Sequence, residues 1–352
     1  MTTDERIESL ERELAHMKAE LAKRVRTAVV EVVDDNGEAR AFLAVHKDGP
    51  GLLLSDAAGE VRAGLAVTSH GPVLALHDAA GEPRAELSVT ADGPQMVMID
   101  AAGKVCARLA SRANGPELAL FDAADKPRAF LSLDADRPQL VLVDAEGKGR
   151  AFLAVDKGGS SLRLSDENGT LCVGLGVNKD GTGLILFNDK GVLRAMLDAT
   201  KDASGLKLYD DNGKARAGLG VLKDGPVLDL LDENGEICAM LNAIKAEPML
   251  NLYDAAGKLR VGLHVNKDGP GLVLLDENGE PRAMLTALKD GSELNLFDAN
   301  GKPRVGLSVP KDGPALRLYD ENGKGRAGLG VLKAGPVLDL CDEKGKAIWQ
   351  AP

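Results

Sequence analysis

The chain has 352 residues, a net charge of −11 and only 3% aromatic residues. That charge excludes nucleic acid or an anionic membrane as the main partner, since both want clustered Lys and Arg. So few aromatics disfavour a base-stacking or glycan-stacking surface, and no run approaches the roughly 18 apolar residues of a spanning helix.

Residues 1–28 form a leader. Thr2 and Glu5 match a helix capping box, and Asp4 adds negative charge where a helix N-terminus favours it. Ile7, Leu10, Leu14, Met17 and Leu21 then recur at alternating spacings of three and four, the a/d seam of a coiled coil. In a parallel pairing Arg6 would meet Glu11, and Glu13 would meet Lys18, both opposite in sign. The leader predicts a parallel homo-oligomer, with a trimer favoured. The plainer reading is one amphipathic helix docked on the end of the following array.

From Val29 onward the sequence falls into rows of 22 residues without insertion or deletion. Fourteen full rows fill residues 29–336, and a partial row, expected to act as a cap, fills 337–352. With positions counted from the start of each row, Leu holds position 15 in all fourteen full rows. Leu also holds positions 2 and 4 in thirteen of fifteen rows, and Asp at 6 and Gly at 9 each recur in fourteen of fifteen. Such self-similarity means a repeat architecture in which single rows cannot fold alone and neighbours supply the rest.

Within a row, positions 1–5 and 11–17 alternate between apolar and variable residues, the period of strands with one buried face. Leu219, at position 15, is assigned to that face and Lys223 to the outside. Between the strands lies Asp-X-X-Gly, as in Asp166–Gly169 and Asp232–Gly235. An Asn-Gly loop of type I′ accounts for it, placing position 7 opposite 10, 4 opposite 13 and 2 opposite 15. The other connection reads Lys-Asp-Gly-Pro, as in Lys223–Pro226. Pro there would remove a paired N–H, so this turn is expected to be more open and to carry the chain between layers.

Position 12 is Arg in eleven of fourteen rows and Cys in the other three, Cys106, Cys172 and Cys238. The Arg ladder is expected to pair with the Asp at position 6 within the protein; binding an anionic polymer is the competing use.

These features predict an all-β fold. It is an elongated tandem array of two-stranded repeats, triple-β-spiral or β-solenoid-like, after an N-terminal coiled-coil helix. The alternative is a seven-bladed propeller, for which the alternation of Ala-Met-Leu with Gly-Leu from row seven onward suggests a doubled unit. The heptad leader, the Gly-Pro turns at 49–50, 225–226, 269–270 and 313–314, and the Leu pairs after them resemble the triple-β-spiral shafts of viral fibre proteins such as adenovirus fibre. The chain is also similar to bacterial 22-residue β-repeat proteins with a coiled-coil leader. The first resemblance implies a trimeric structural shaft; the second implies no activity.

No catalytic, cofactor-binding or metal residues are assigned. Asp-Glu-Asn-Gly lacks the later ligands of a calcium loop. There is no Walker A motif, no Gly-X-Ser-X-Gly elbow and no Cys-X-X-Cys. The five His share no row position. Trp349 reads as part of the hydrophobic cap. Free thiols and the lack of an apolar N-terminal run predict a cytoplasmic location. The expected function is a structural or scaffolding, fibre-like repeat protein without catalysis. The alternative is a binding module that offers one face of the array to a protein or glycan.

Overall fold

The fold is known from a computed structural model that describes residues 2–23, 29–245 and 247–351. The leader is an α-helix, α1 (Thr3–Lys23). Its capping box forms reciprocally: Thr2 N donates to Glu5 Oε2 at 2.6 Å, and Glu5 N donates to Thr2 Oγ1 at 3.4 Å. The junction expected at residue 28 and the side chain of Leu21 lie outside the described residues. Among the described residues no strand packs against α1. Docking of the helix on the array is therefore not seen.

Every described residue from Val29 onward belongs to a strand or a turn, which makes the protein an all-β tandem array. The chain divides into two units, Met1–Asp156 and Lys157–Pro352. The first holds β1 (Val29–Val33) to β12 (Gly149–Asp156), and the second holds β13 (Gly159–Ser165) to β30 (Ala347–Ala351). Within each unit every strand is antiparallel to its neighbours in sequence, in one unbroken ladder. A propeller would interrupt that ladder after every fourth strand and close its ends. Among the described residues β1 pairs only with the strand after it and β30 only with the strand before it. The seven-bladed alternative is therefore wrong.

The expected cross-strand pairs form. In row two Leu52 faces Leu65 and Leu54 faces Ala63. The turn between them differs from expectation, as row ten shows. Gly235 N donates to Asp232 O at 3.2 Å, and Asp232 N donates to Glu236 O at 2.9 Å. Only Gly235, at φ +89°, enters the left-handed region; Asn234 does not. This is a type I turn followed by a left-handed Gly and a bulge, not an Asn-Gly type I′ loop. The bulge shifts the register: Leu230 faces Ala239 but Leu231 faces Ile237, leaving residue 238, position 12, as the extra residue. The same turn accommodates Ala-Ala-Gly rows without change. In row five Asp125 stands in for the Gly and takes φ +62°.

The second connection is tight and does not change layers. Leu222 faces Gly225 and Val221 faces Pro226, so only Lys223 and Asp224 form the loop. Pro226 thus occupies a pair that needs no N–H on the hairpin side. On its other side the missing donor has a visible effect. The next ladder begins only after the Pro, at Val227 with Asn242, two residues beyond the Gly. Where Ser or Thr replaces Pro, the ladder runs to the turn, as in Ser160 with Val177 and Thr182 with Ala199.

Alternation sorts the row onto two faces. Positions 2, 4, 13, 15 and 17 make a leucine face. Positions 1, 3, 14 and 16 make the opposite face, and it is this one that is better covered. The buried hydrophobic residues are all alanines there: Ala44, Ala110, Ala119 and Ala154. Cross-strand packing there also explains the two-row alternation. Ile185 faces Gly174 on one side and Met196 on the other. It leans over the glycine, where a Cβ would lie 2.8 Å from its Cγ1. Asn251 likewise sits between Met240 and Gly262. Large and small neighbours alternate so that one ladder packs; they do not mark blades.

Candidate functional surface

One edge of each unit is a stack of Asp-X-X-Gly turns. In row two, Asp56 Oδ1 accepts from Ala58 N at 2.9 Å and Glu60 N at 3.1 Å, which holds the turn. Its Oδ2 accepts from Arg62 Nε at 2.7 Å. Arg62 is the bulge residue, and the bulge aims its side chain at the turn and not across the ladder. Its second nitrogen, Nη1, reaches onward to the Asp78 carbonyl oxygen of the next row. Arg40 does the same, from Asp34 to the Asp56 carbonyl at 2.8 Å. Lys at position 10 adds a parallel strut, as Lys258 Nζ to Glu277 O at 2.7 Å and Lys214 Nζ to Glu233 O at 3.0 Å. In these rows the turn is therefore clamped to the next.

All eleven position-12 arginines are paired with an Asp. Row eight confirms the logic: with Asn188 at position 6, Arg194 turns to Asp211 and to Tyr209 O at 3.1 Å. The guanidinium groups are engaged by carboxylates of the same chain and are not a ladder of free cations, although Arg150 Nη1 and Arg216 Nη1 are buried without a hydrogen-bond partner. The Asp carboxyls respond accordingly. The Arg62 hydrogen bond, then those from the turn amides, hold Asp56 below the usual carboxylate range against the opposing effect of desolvation. In Asp78 and Asp122 the turn amides lead and the Arg hydrogen bond contributes less.

The Cys rows lack the Arg clamp, though in the Cys106 row Lys104 Nζ still donates to Ala123 O of the next row. Cys106 Sγ lies 3.5 Å from Met98 O and Cys238 Sγ lies 3.3 Å from Leu230 O, each within its own hairpin. All four thiols are free. Among the described residues no three His, Cys, Asp or Glu side chains come together as a metal site would require. The helix α1 is not apolar enough to cross a membrane. Ser161, Arg163, Gly174 and Gly176 of row seven and Ile185 of row eight line an open depression on the better-covered face.

The leucine face stands out. Leu219 is 53% exposed, Leu241 48% and Leu263 45%, and Val221 beside them is 56% exposed. Leu52-type pairing places these side chains in rows, with Leu219 between Leu206 and Leu228. The face assigned by pattern to the interior is thus half open in the single chain. On α1, Ile7, Leu10, Leu14 and Met17 are 48–59% exposed as well. Nothing in the sequence distinguishes an apolar face covered by the same chain from one left for another. The bulge at position 12 was signalled, because Ala-Ala-Gly rows are incompatible with type I′ and the period is strict.

No protein-family profile matches the sequence, and no curated protein matches it. Among solved structures, the chain is similar to the Tc holotoxin pore of Photorhabdus luminescens, at 8% identity over 91% of this chain and 24% of that one, with a TM-score of 0.17. TcdB2-TccC3 without its hypervariable C-terminal region gives 10% identity over 94% and 23%, with a TM-score of 0.17. S. aureus TarM gives 10% over 39% and 21%, with a TM-score of 0.16. The chain spans 21–24% of the length of these proteins. Scores this low carry no argument about fold or function.

Proposed function

We propose that the protein is a structural repeat scaffold that works as a parallel homo-oligomer and performs no catalysis. One observation carries this reading: apolar side chains stay half exposed at the same positions row after row, as at Leu65, Leu131, Leu197, Leu263 and Leu329. An active site needs a place where the pattern breaks into unlike polar groups that converge. Here the departures are scattered single changes, Asn188 for Asp and Asp125 for Gly, and each is absorbed by its own turn. The exposed a/d stripe on α1, with its complementary e and g charges, supports parallel alignment. The resemblance to fibre shafts favours three chains.

Light scattering coupled to size-exclusion chromatography tests the reading, on the full chain and on a form lacking residues 1–28. We expect a full-length oligomer, and loss or weakening of association without the leader. A monomeric full chain at micromolar concentration, or robust turnover of any substrate, would overturn it.

A further inference from the structure

We propose that the leucine face is the shared core of the assembly, closed by the leucine faces of other copies of this chain. The inference rests on the oligomer reading and names its interface. The alternative interface is α1 alone, with arrays that stand apart.

The first argument is area. Burying a Leu removes roughly 60–120 Å² of apolar surface at about 25 cal/mol per Å². In the second unit the leucines at positions 4 and 15 are exposed in all eight rows and the leucine at position 2 in three, so a row leaves roughly 100 Å² open and the eight rows on the order of 800 Å². The largest apolar patch of a typical monomer is about 300–600 Å², whereas a stable pair buries about 800 Å² per partner. The face is larger than a monomer tolerates and large enough to hold an assembly.

The second argument is elimination. The two turn edges are occupied by their own hydrogen bonds and by the Arg clamps. Interior strands have both ladder sides paired. The opposite face already covers its small residues, Ala119 and Asn242 among them. Among the described residues of the array, most exposed large apolar side chains lie on the leucine face, with Leu222, Leu288 and Leu332 among the scattered exceptions on the other.

The third argument identifies the occupant. Each row adds two strands, so the leucine rows repeat about every 9.6 Å along the ladder. A surface that meets every row must have the same spacing, and a second copy has it by construction. No residue at positions 2, 4, 13, 15 or 17 of the full rows is charged. Copies with a net charge of −11 can therefore meet on this face without placing like charges in contact. The stripe of Ile7, Leu10, Leu14 and Met17 on α1 is exposed in the same way.

The test uses the full chain in a background with Cys106→Ser, Cys172→Ser, Cys238→Ser and Cys341→Ser. Single probes are Leu219→Cys on the leucine face and Lys207→Cys on the opposite face. In the single chain both positions are exposed. Each is reacted with a maleimide under native conditions and in urea, with mass measured at the same concentration. We expect an oligomer in which Leu219→Cys reacts at least about tenfold more slowly than Lys207→Cys, with the difference abolished in urea. If Leu219→Cys fails to fold, Val221→Cys probes the same face. An oligomer in which both thiols react equally fast overturns this inference and leaves the oligomer reading standing. A monomer with a fast Leu219→Cys thiol overturns both. A monomer with a slow one also overturns it, because the chain then covers its own leucine face.

Discussion

The Lys-Asp-Gly-Pro turn makes a sharp prediction at Gly225. Its φ is +145°, and a Cβ there would lie 2.5 Å from the carbonyl oxygen of Ala243 on the next strand. Gly225→Ala cannot be accommodated in place, because the obstructing atom is ladder backbone. In row eight, where Ala203 replaces the Gly, Thr200 closes the turn with its N and Oγ1 and no loop residue has a positive φ, but Leu222 has no hydroxyl to do the same; two other rows show the solution open to it. In row five, where Arg137 replaces the Gly, the left-handed conformation moves into the loop, to Ala135 at φ +46° and Asp136 at φ +69°. In row ten, where Glu247 replaces it, Lys245 is at φ +52°. The substituted turn should switch to that form and place Lys223 and Asp224 in the left-handed region. Each such residue costs about 1–2 kcal/mol, with Asp at the low end, so Gly225→Ala should lose about 2–3 kcal/mol. Gly235→Ala is the control. It has φ +89° but nothing within 4 Å of the new Cβ, so only the backbone term of about 1–2 kcal/mol applies. Adding Lys223→Asn and Asp224→Gly to Gly225→Ala supplies the residues that a type I′ loop prefers. That triple variant should recover all but about 1 kcal/mol. Urea melts followed by circular dichroism read all three. Equal losses for Gly225→Ala and Gly235→Ala, or no recovery in the triple variant, would refute the account of this turn.

Asp125→Gly should stabilise by about 1 kcal/mol, since Asp125 is the one residue of its turn position held at a positive φ without being Gly; a rise in the urea midpoint checks it. Acid should weaken the array in a defined window. Asp34 and Asp56 are held below their ordinary values first by Arg40 and Arg62, and Asp144 and Asp320 first by turn amides. A depressed folded value means that the contribution is complete above the unfolded carboxylate value of about 3.9 and is lost as pH falls below it. Urea midpoints should be flat from neutrality to about pH 5 and fall from about pH 4 downward. Asp56→Asn should lower the midpoint at neutral pH and make the acid limb shallower; an unchanged limb in Asp56→Asn would contradict the clamp.

The strict period made the strands, their faces and the pairs of position 4 with 13 and 2 with 15 legible, because a slip by one residue would turn every Leu to the other side. The turns were only half legible. Asn-Gly suggests type I′, yet Asp232 accepts hydrogen bonds from the amides of Asn234 and Glu236, at 2.8 and 3.0 Å, and fixes a type I turn with the left-handed step at Gly235. The near-constant Asp carried that information, and rows lacking Asn carried it too. Pro226 misled in a different way. Its missing N–H is a local matter, which shortens one ladder by two residues and does not move the chain to a second layer. The two-row alternation also meant packing and not blades, with Met and Gly flanking each larger side chain in turn.

The leucine face is where pattern and single-chain structure part. Period-two alternation says which residues share a face, but it does not say which chain covers that face. A closed domain answers from within, by packing two layers around one core. Within each unit of this chain every connection returns the strand to the same ladder, so no second layer forms from neighbouring rows. The Arg62-type clamps, bound to carboxylate and next-row carbonyl alike, then fix the row spacing along one edge. A sheet with a fixed spacing and an uncharged apolar face is specific in one respect: it fits best against a surface with the same repeat. The strict row length, which adds nothing to the fold of any one hairpin, has a physical reason if the rows of several copies must stay level. One insertion would shift every later leucine against its counterpart. On that argument the absence of insertions from Val29 to Pro336 belongs to the assembly more than to the chain.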